Sequence, residues 1–419
     1  MKYSDYLKAF DERITSLLHF AATGLLGCFV FFVPIPNTTS IKEICFYIAL
    51  AITLFLVITK RMSWSFRSPL TLPLALFSVW ALIGLFFAIN KPNSIHDYLV
   101  HWIRYIALYY LLIHFYASRS RIKILGWIIL ISLTVFSIGG MLVFFSRAGV
   151  AWRTDPIQFQ EMEINSIGFP TLIAMMIGLT LYGWQRRYEI KALLFVALSA
   201  IGAMSLLTRS RASILAFFIS LLILLPIRKM IVVVLLCLMG IIALMLPVSS
   251  RITPEALQHK VLKDDRIIIW HACLAMAKDY PLTGTGFGME IWKNADLWNH
   301  YINRITNQKG ILTQNVHSHN VLLSVLTRTG FIGLAFFVFL LIRFAGMCKY
   351  LIGKSRDSVT REWGFGLIAA FAAYFVKAMF EPGLDQVPAI FLYLILAMTT
   401  ILYRIETKTE DKIMTAASS

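Results

Sequence analysis

Charged residues are scarce in this sequence, and acidic ones are the scarcest. Only 15% of the 419 residues are Asp, Glu, Lys or Arg, with 22 acidic against 39 basic side chains. An average soluble domain is about 25% charged, so the composition argues against a soluble enzyme and against a disordered chain. The five cysteines show no disulfide framework. The 58% hydrophobic content therefore indicates a membrane protein.

Long apolar runs predict the architecture. A membrane-spanning helix needs about 20 mostly apolar residues, and we expect an all-α polytopic membrane protein with about 12 transmembrane helices. The first run lacks a small-residue cleavage site and is expected to stay as a helix. The twelve runs are 15–33, 43–58, 70–89, 102–116, 124–145, 167–184, 190–207, 211–227, 230–249, 320–342, 364–380 and 386–403.

The positive charges predict the orientation. With the N-terminus inside, every predicted inside segment except the one at Arg228 and Lys229 carries at least three Lys or Arg residues. Because cytoplasmic loops carry this excess, both termini are expected in the cytoplasm. The net charge of +17 then comes largely from the cytoplasmic segments that set the orientation of the chain. No basic run is interleaved with aromatics in a soluble module, so nucleic acid is not an expected partner. Membrane lipid is an expected partner, because the chain is expected to span the membrane.

One long connection, residues 250–319, is expected to form a partly helical loop domain outside the membrane. It separates nine helices in residues 1–249 from three in 320–404, and 405–419 form a cytoplasmic tail. Within it, a helix after Asp265 should stop at Pro281, and the glycines of 284–288 predict a tight turn. Trp292, Trp298 and Tyr301 lie among asparagines, a composition that suits carbohydrate contact and equally a membrane-interface belt.

The segment Thr208–Leu215 favours an anion. It begins the predicted eighth helix on the outside, where free N–H groups and the helix dipole attract negative charge. Arg209 and Arg211 add guanidinium groups, which bind phosphate at two points. The alternative is that both arginines reach toward lipid headgroups. Arg104, one turn after His101 at the outer end of the fourth helix, is another candidate anion contact.

The segment Asn315–Asn320 opens the tenth helix and contains two histidines. Ser318 is a candidate cap. Eleven residues after His319 comes Gly330, then Gly333, and at about 100° per residue the three share a face where another helix can approach. A neutral His319 could act as a general base. A hydrogen-bonded interfacial histidine and a metal site with His317 are the alternatives, and no acidic residue or cysteine nearby supports the metal.

Further polar residues occur in the last helices. Arg328 lies about nine residues into the tenth helix, opposite His319, and is expected to be structural or to face another part of a cavity. Lys377 and Glu381 are spaced to form an ion pair. Asp385 begins the last helix, where a carboxylate suits the dipole or could orient a histidine or arginine.

Taken in order, these motifs resemble those of bacterial O-antigen ligases, a family within the O-antigen ligase and polymerase superfamily. His319-Asn320, nine residues, Gly330, two residues and Gly333 are similar to its histidine signature, and Arg211–Leu215 to its Arg-x3-Leu motif. Arg266 resembles a further functional arginine, Pro281–Gly288 a glycine-rich turn, and Asp385 an acidic position near the last helix. The resemblance extends to twelve helices with a long periplasmic loop.

The resemblance implies a GT-C-like glycosyltransferase of the bacterial inner membrane. Such enzymes move a glycan from undecaprenyl diphosphate to a sugar hydroxyl of lipid A–core oligosaccharide on the periplasmic face, with inversion and without metal or nucleotide cofactor. It implies His319 as base and Arg211 and Arg266 on the donor diphosphate, with Arg209 and Arg104 assisting. His317, Asn320, Asp385, Gly330 and Gly333 would have supporting roles.

Other functions stay open at this stage. An O-antigen polymerase would use the same donor with another lipid-linked glycan as acceptor, and a protein O-oligosaccharyltransferase would use a protein. An anionic-lipid transporter is the alternative of a different class, but the repeats expected of many transporters are not visible. The glycan structure, the core sugar attacked and the oligomeric state do not follow from the sequence.

Overall fold

The computed structural model describes residues 3–148, 164–208, 210–245, 265–306, 317–355, 357–384 and 386–417. Every regular element in these ranges is helical. A π-helical turn (Tyr98–Ile103) joins α4 to α5, and 3-10 turns follow α3 (Leu85–Phe87) and precede α11 (Met289–Lys293). The α-helices are α1 (Tyr3–Phe32), α2 (Thr39–Ile58), α3 (Thr71–Gly84), α4 (Lys91–Asp97), α5 (Arg104–Phe115), α6 (Arg119–Ala148), α7 (Ile164–Trp184), α8 (Tyr188–Leu207), α9 (Arg211–Met245), α10 (Asp265–Asp279), α11 (Ala295–Thr306), α12 (Val321–Gly353), α13 (Ser358–Ala378) and α14 (Gln386–Ala417).

Seven of the described helices are long and apolar enough to cross a membrane, which confirms an all-helical, polytopic membrane protein. They are α1, α2, α6, α7, α8, α12 and α14. The spans of α7 and α14 are each 83% buried, whereas those of α1, α2 and α8 are at most 28% buried. Helices α7 and α14 therefore form the centre of the bundle, and α1, α2 and α8 lie at its exposed edge.

The predicted stretches 70–89, 102–116, 211–227, 230–249 and 364–380 are not among these seven spans. The helices α3 and α5 are too short, and three charged side chains, Arg361, Glu362 and Lys377, interrupt α13. The predicted loop at Arg228 and Lys229 is wrong, because α9 continues from Arg211 to Met245 with Pro226 inside it. Proline removes one backbone donor, and apolar helices that pack on neighbours tolerate this loss.

The two ends of the bundle can be told apart by their contacts. At the His319 end, as we call it, Lys377 near the end of α13 meets the starts of α7 and α9. At the opposite end, the Glu406 end, Arg119 at the start of α6 pairs with Asp357 before α13 and with Glu406 in α14. The ion pairs of Arg119 therefore join α6, α14 and the start of α13 at the Glu406 end.

The helices α10 and α11 form a separate apolar cluster, called the loop unit, which packs on α12. Trp292 and Trp298 stack with ring centroids 5.4 Å apart, and the Trp298 indole donates to the Ile291 carbonyl at 2.9 Å. Burial raises the pKa of the Cys273 thiol, inside this cluster, to about 12. The loop unit therefore has an apolar core of its own, separate from the core of the bundle.

Candidate active site

His319 stands immediately before α12 in an unusual backbone conformation. Its φ is +45°, a region that histidine enters more often than most residues but at a cost in strain. The segment is held on both sides, since the Trp270 indole of α10 donates to the Ser318 carbonyl at 2.9 Å. Asn320 caps α12, and its Oδ1 accepts from the N–H groups of Leu322 and Leu323 at 3.0 and 3.1 Å. Backbone strain at a chemically capable side chain is typical of functional sites.

Two sequence expectations about this motif are wrong. Ser318 does not cap the helix, because its hydroxyl donates to the Asn320 carbonyl at 3.0 Å and Asn320 takes the capping position. His319 also does not share a helical face with Gly330 and Gly333. It precedes the helix, and α12 is kinked at Gly330, where φ is +70° and ψ is −174°. Periodicity predicts a shared face only along an unbroken helix.

The kink at Gly330 receives the glycine-rich turn instead of another helix. A Cβ on Gly330 would lie 1.9 Å from the Leu282 carbonyl oxygen, so only glycine fits. The Phe331 N–H donates to the Pro281 carbonyl at 2.8 Å. The N–H groups of Thr285 and Gly286 donate to carbonyls of α12 at 2.9 and 3.2 Å. This pairing fixes the loop unit to α12 just below the histidine. At Gly333 a Cβ would instead crowd Thr329 of its own helix and lie 3.3 Å from the ring of Trp80.

Arg328 of α12 supports the same turn. Its Nε donates to the Phe287 carbonyl at 2.8 Å, and its guanidinium lies 4.3 Å from the centroid of the Phe287 ring. On the other side of the turn, the Met289 N–H donates to the buried Asp97 carboxylate at 2.6 Å. The expectation of a structural Arg328 agrees with these contacts, whereas Asp97 carried no motif by which the sequence could identify it.

A buried polar network lies at the start of α9. The predicted pair of Lys377 and Glu381 is present, with both side chains almost inaccessible, at 0% and 4% exposed. The Ser210 hydroxyl donates to Glu381 Oε1 at 2.6 Å, and Lys377 Nζ donates to the Ser213 hydroxyl at 2.8 Å. The spacing in the sequence predicts the ion pair, and Ser210 is a candidate cap of α9 by residue type, which the Ser213 N–H confirms by donating to its hydroxyl at 3.2 Å. The links of Ser210 and Ser213 to α13 could not be predicted, because they are tertiary contacts.

The structure brings two of the predicted arginines near this network. Arg211 is the first residue of α9, directly after Ser210, and its side chain is exposed. Arg266 is the second residue of α10, is half-buried, and acts electrostatically on Lys377. Arg104 is engaged elsewhere, with its Nη1 2.5 Å from Glu43 Oε1 of α2. Arg209 and Asp385 lie outside the described residues.

The loop aromatics do not form an open sugar platform. Trp292, Trp298 and Tyr301 are between 1% and 3% exposed and belong to the core of the loop unit, so the carbohydrate interpretation of that stretch is not supported. The Tyr301 hydroxyl donates to Asp279 at 2.9 Å and, with Arg304, lowers the pKa of that carboxyl. A narrow crevice lies beside the motif and forms a small pocket. It is lined by Met289, Trp292, His317, Ser318, Asn320, Val321, Ser324 and the turn 382–384.

Chemically, the His319 end carries an imidazole and several cationic side chains. A histidine can take a proton from a hydroxyl group, and guanidinium groups can bind phosphate oxygens in a planar, two-point geometry. His317 contacts His319 with ring centroids 6.3 Å apart. In the part of the chain that the structure describes, no group of three His, Cys, Asp or Glu side chains is placed to hold a metal ion.

Comparison with known proteins finds a similarity over part of the chain. Residues 194–338 match the model of the O-antigen ligase family, which is shared by ligases and by O-antigen polymerases. The matched segment contains Arg211, Arg266, His319 and the kink at Gly330. The match covers less than half of the chain. A search of the curated proteins finds no match to the chain.

Proposed function

We propose that this protein is an O-antigen ligase. It transfers a glycan from undecaprenyl diphosphate to a sugar hydroxyl of lipid A–core oligosaccharide. The observation that carries the proposal is the family match over residues 194–338, which covers Arg211, Arg266 and His319 together. Arg211 directly follows Ser210 of the Lys377 network, and His319 lies on a strained backbone beside the loop unit, and both observations support the proposal.

In the proposed mechanism His319 removes the proton from the acceptor hydroxyl as that oxygen attacks the anomeric carbon of the donor sugar. The bond between that carbon and the diphosphate oxygen breaks, and the electron pair leaves with undecaprenyl diphosphate. Arg211 and Arg266 bind the diphosphate and stabilise the charge that it gains. One displacement inverts the anomeric centre, and no residue of the chain forms a covalent intermediate.

The proposed location is the bacterial inner membrane, with the His319 end facing the periplasm and both termini in the cytoplasm. The distribution of basic residues supports this orientation, since cytoplasmic segments carry the excess of Lys and Arg. The connections at the Glu406 end hold many of them: Arg119, Arg121, Lys123, Arg186, Arg187, Lys349, Lys354 and Arg404. In the same scheme residues 250–319 form the periplasmic loop, and 405–419 form the cytoplasmic tail.

The main competing function is polymerisation, which the shared family favours equally. Purified protein in proteoliposomes, supplied with an undecaprenyl diphosphate glycan and rough lipopolysaccharide but no ATP, separates the two. We expect the glycan to be transferred to lipid A–core. Longer glycans on undecaprenyl diphosphate would instead establish a polymerase. If the protein forms neither product, both proposals are contradicted.

A further inference from the structure

Lys377 is a buried cation whose hydrogen-bonding capacity is fully used. Its ammonium group has three N–H donors, and they meet Glu381 Oε2, the Ser213 hydroxyl at 2.8 Å and the Ser210 hydroxyl at 3.4 Å. The ammonium also lies 5.2 Å from the centroid of the Phe169 ring in α7. Nothing in this arrangement is left for a substrate to contact, so Lys377 does not act by binding one directly.

Ser210 is equally saturated, and this fixes the start of α9. Its hydroxyl donates to Glu381 Oε1 at 2.6 Å and accepts from the Ser213 N–H at 3.2 Å as well as from Lys377. A hydroxyl has one donor and two acceptor positions, and all three are occupied. Because the next residue is Arg211, a rotation or shift at Ser210 would move the arginine.

The space around the ammonium group is closed. A Cβ on Gly168 in α7 would lie 2.7 Å from Lys377 Nζ and 2.7 Å from the Ser213 hydroxyl. The absence of a side chain at Gly168 therefore makes room for this lysine. Three helices, α7, α9 and α13, meet at one charged group, and its position is set from every side.

The network also reaches the pocket beside the histidine motif. Glu381 begins the turn whose next residues, 382–384, line the pocket with His317 and Asn320. Arg266 of the loop unit acts on Lys377 only as a like charge. The ion pair therefore connects the start of α9 with the edge of this pocket.

Stability alone does not explain a buried ion pair here. Replacing such a pair by apolar side chains of similar size is often neutral or stabilising, whereas removing one partner is strongly destabilising. We propose that Lys377 and Glu381 are positioning residues that hold Arg211 for the diphosphate of the donor. This inference rests on the proposed function, and it assigns the pair to donor binding and not to the acceptor.

The test uses the double variant K377M/E381M in the full-length protein, reconstituted in proteoliposomes. Because both charges are removed together, we expect it to fold. The donor KM should rise by about tenfold or more, which is about 1.4 kcal/mol of lost binding. The inhibition constant of undecaprenyl diphosphate should rise by a similar factor, while the acceptor KM stays unchanged. A purely structural defect would lower the active fraction, and hence the apparent kcat, without this change in donor KM.

Two controls keep the outcome clear. R119M/E406M removes an ion pair at the Glu406 end and should leave the donor KM unchanged. If the double variant does not fold, S210A removes only the bridging hydroxyl, and its donor KM should rise several-fold. Its matched control is S220A, a buried serine of the same helix that bonds only within its own turn.

The outcomes separate this inference from the proposed function. A wild-type protein that forms neither product from the donor contradicts the proposed function. An active wild-type protein together with a folded K377M/E381M or S210A variant of unchanged donor KM overturns the positioning role. A parallel rise in donor KM and in the inhibition constant of undecaprenyl diphosphate supports it.

Discussion

The two ends of the bundle differ in how deeply their cations are buried. At the Glu406 end the Arg119 side chain is 41% exposed and shares two carboxylates, an arrangement of the kind that contributes little because solvent screens it. At the His319 end Lys377 is 0% exposed, and its partner Glu381 is 4% exposed. A buried cation is costly, so its presence at one end indicates where function lies.

The largest expected effect is that of H319A. If His319 is the base, its loss should lower kcat/KM for glycan transfer by about 10² to 10⁴ without a comparable loss of thermal stability. The assay is the rate of lipopolysaccharide modification in proteoliposomes. The neighbouring variant H317A serves as the control, with an expected loss of less than about tenfold. Turnover of H319A near that of the wild type would exclude it as the base.

The next largest effect concerns the kink that receives the glycine-rich turn. G330A would put a Cβ 1.9 Å from the Leu282 oxygen at a φ of +70°, so we expect a loss of at least about 2 kcal/mol in stability, measured by thermal unfolding in detergent. G346A is the matched control in the same helix, since nothing lies within 4 Å of its Cβ position. Equal melting temperatures for both variants would contradict the account of the kink.

The arginines should differ from each other. R211K keeps the charge but loses the planar two-point geometry, and we expect the donor KM to rise by about tenfold. R104K should change it less, because Arg104 is already paired with Glu43. Steady-state kinetics with varied donor concentration measures both. A larger defect in R104K than in R211K would indicate that the diphosphate binds near the start of α5 instead.

The smallest effect is a pH dependence within the loop unit. Tyr301 and Arg304 lower the pKa of Asp279 in the folded state, so the ionised carboxylate stabilises the unit above its unfolded pKa of about 4. That contribution is lost as the pH falls through the folded pKa. D279N should therefore show faster hydrogen exchange in α11 than the wild type at pH 7, and the difference should shrink toward pH 3. A difference that does not depend on pH would contradict this assignment.

Local pattern was enough to predict much of the fold. Apolar run length identified most of the helices, and the i,i+4 spacing identified the pair of Lys377 and Glu381. Pattern failed where tertiary contacts decide. Arg228 and Lys229 suggested a loop between two helices, yet α9 continues through them and through Pro226.

The site was predicted less completely than the fold. The motif residues His319, Arg211 and Arg266 could be identified by resemblance. Periodicity placed Gly330 on a helical face, whereas the arriving turn makes it a kink. The bonds of Ser210 to Glu381 and of Asp97 to Met289 gave no sequence signal, since these partners are distant in the chain.

The central claim is that the His319 end carries out glycan transfer from a lipid diphosphate. Its most direct test is the single-turnover rate of transfer to lipid A–core, measured side by side for the wild type, H319A and R119M/E406M in the same vesicles. We predict equal rates for the wild type and R119M/E406M, and a rate for H319A that is lower by about 10² or more. Transfer by H319A at the wild-type rate, with loss in R119M/E406M, would contradict the account.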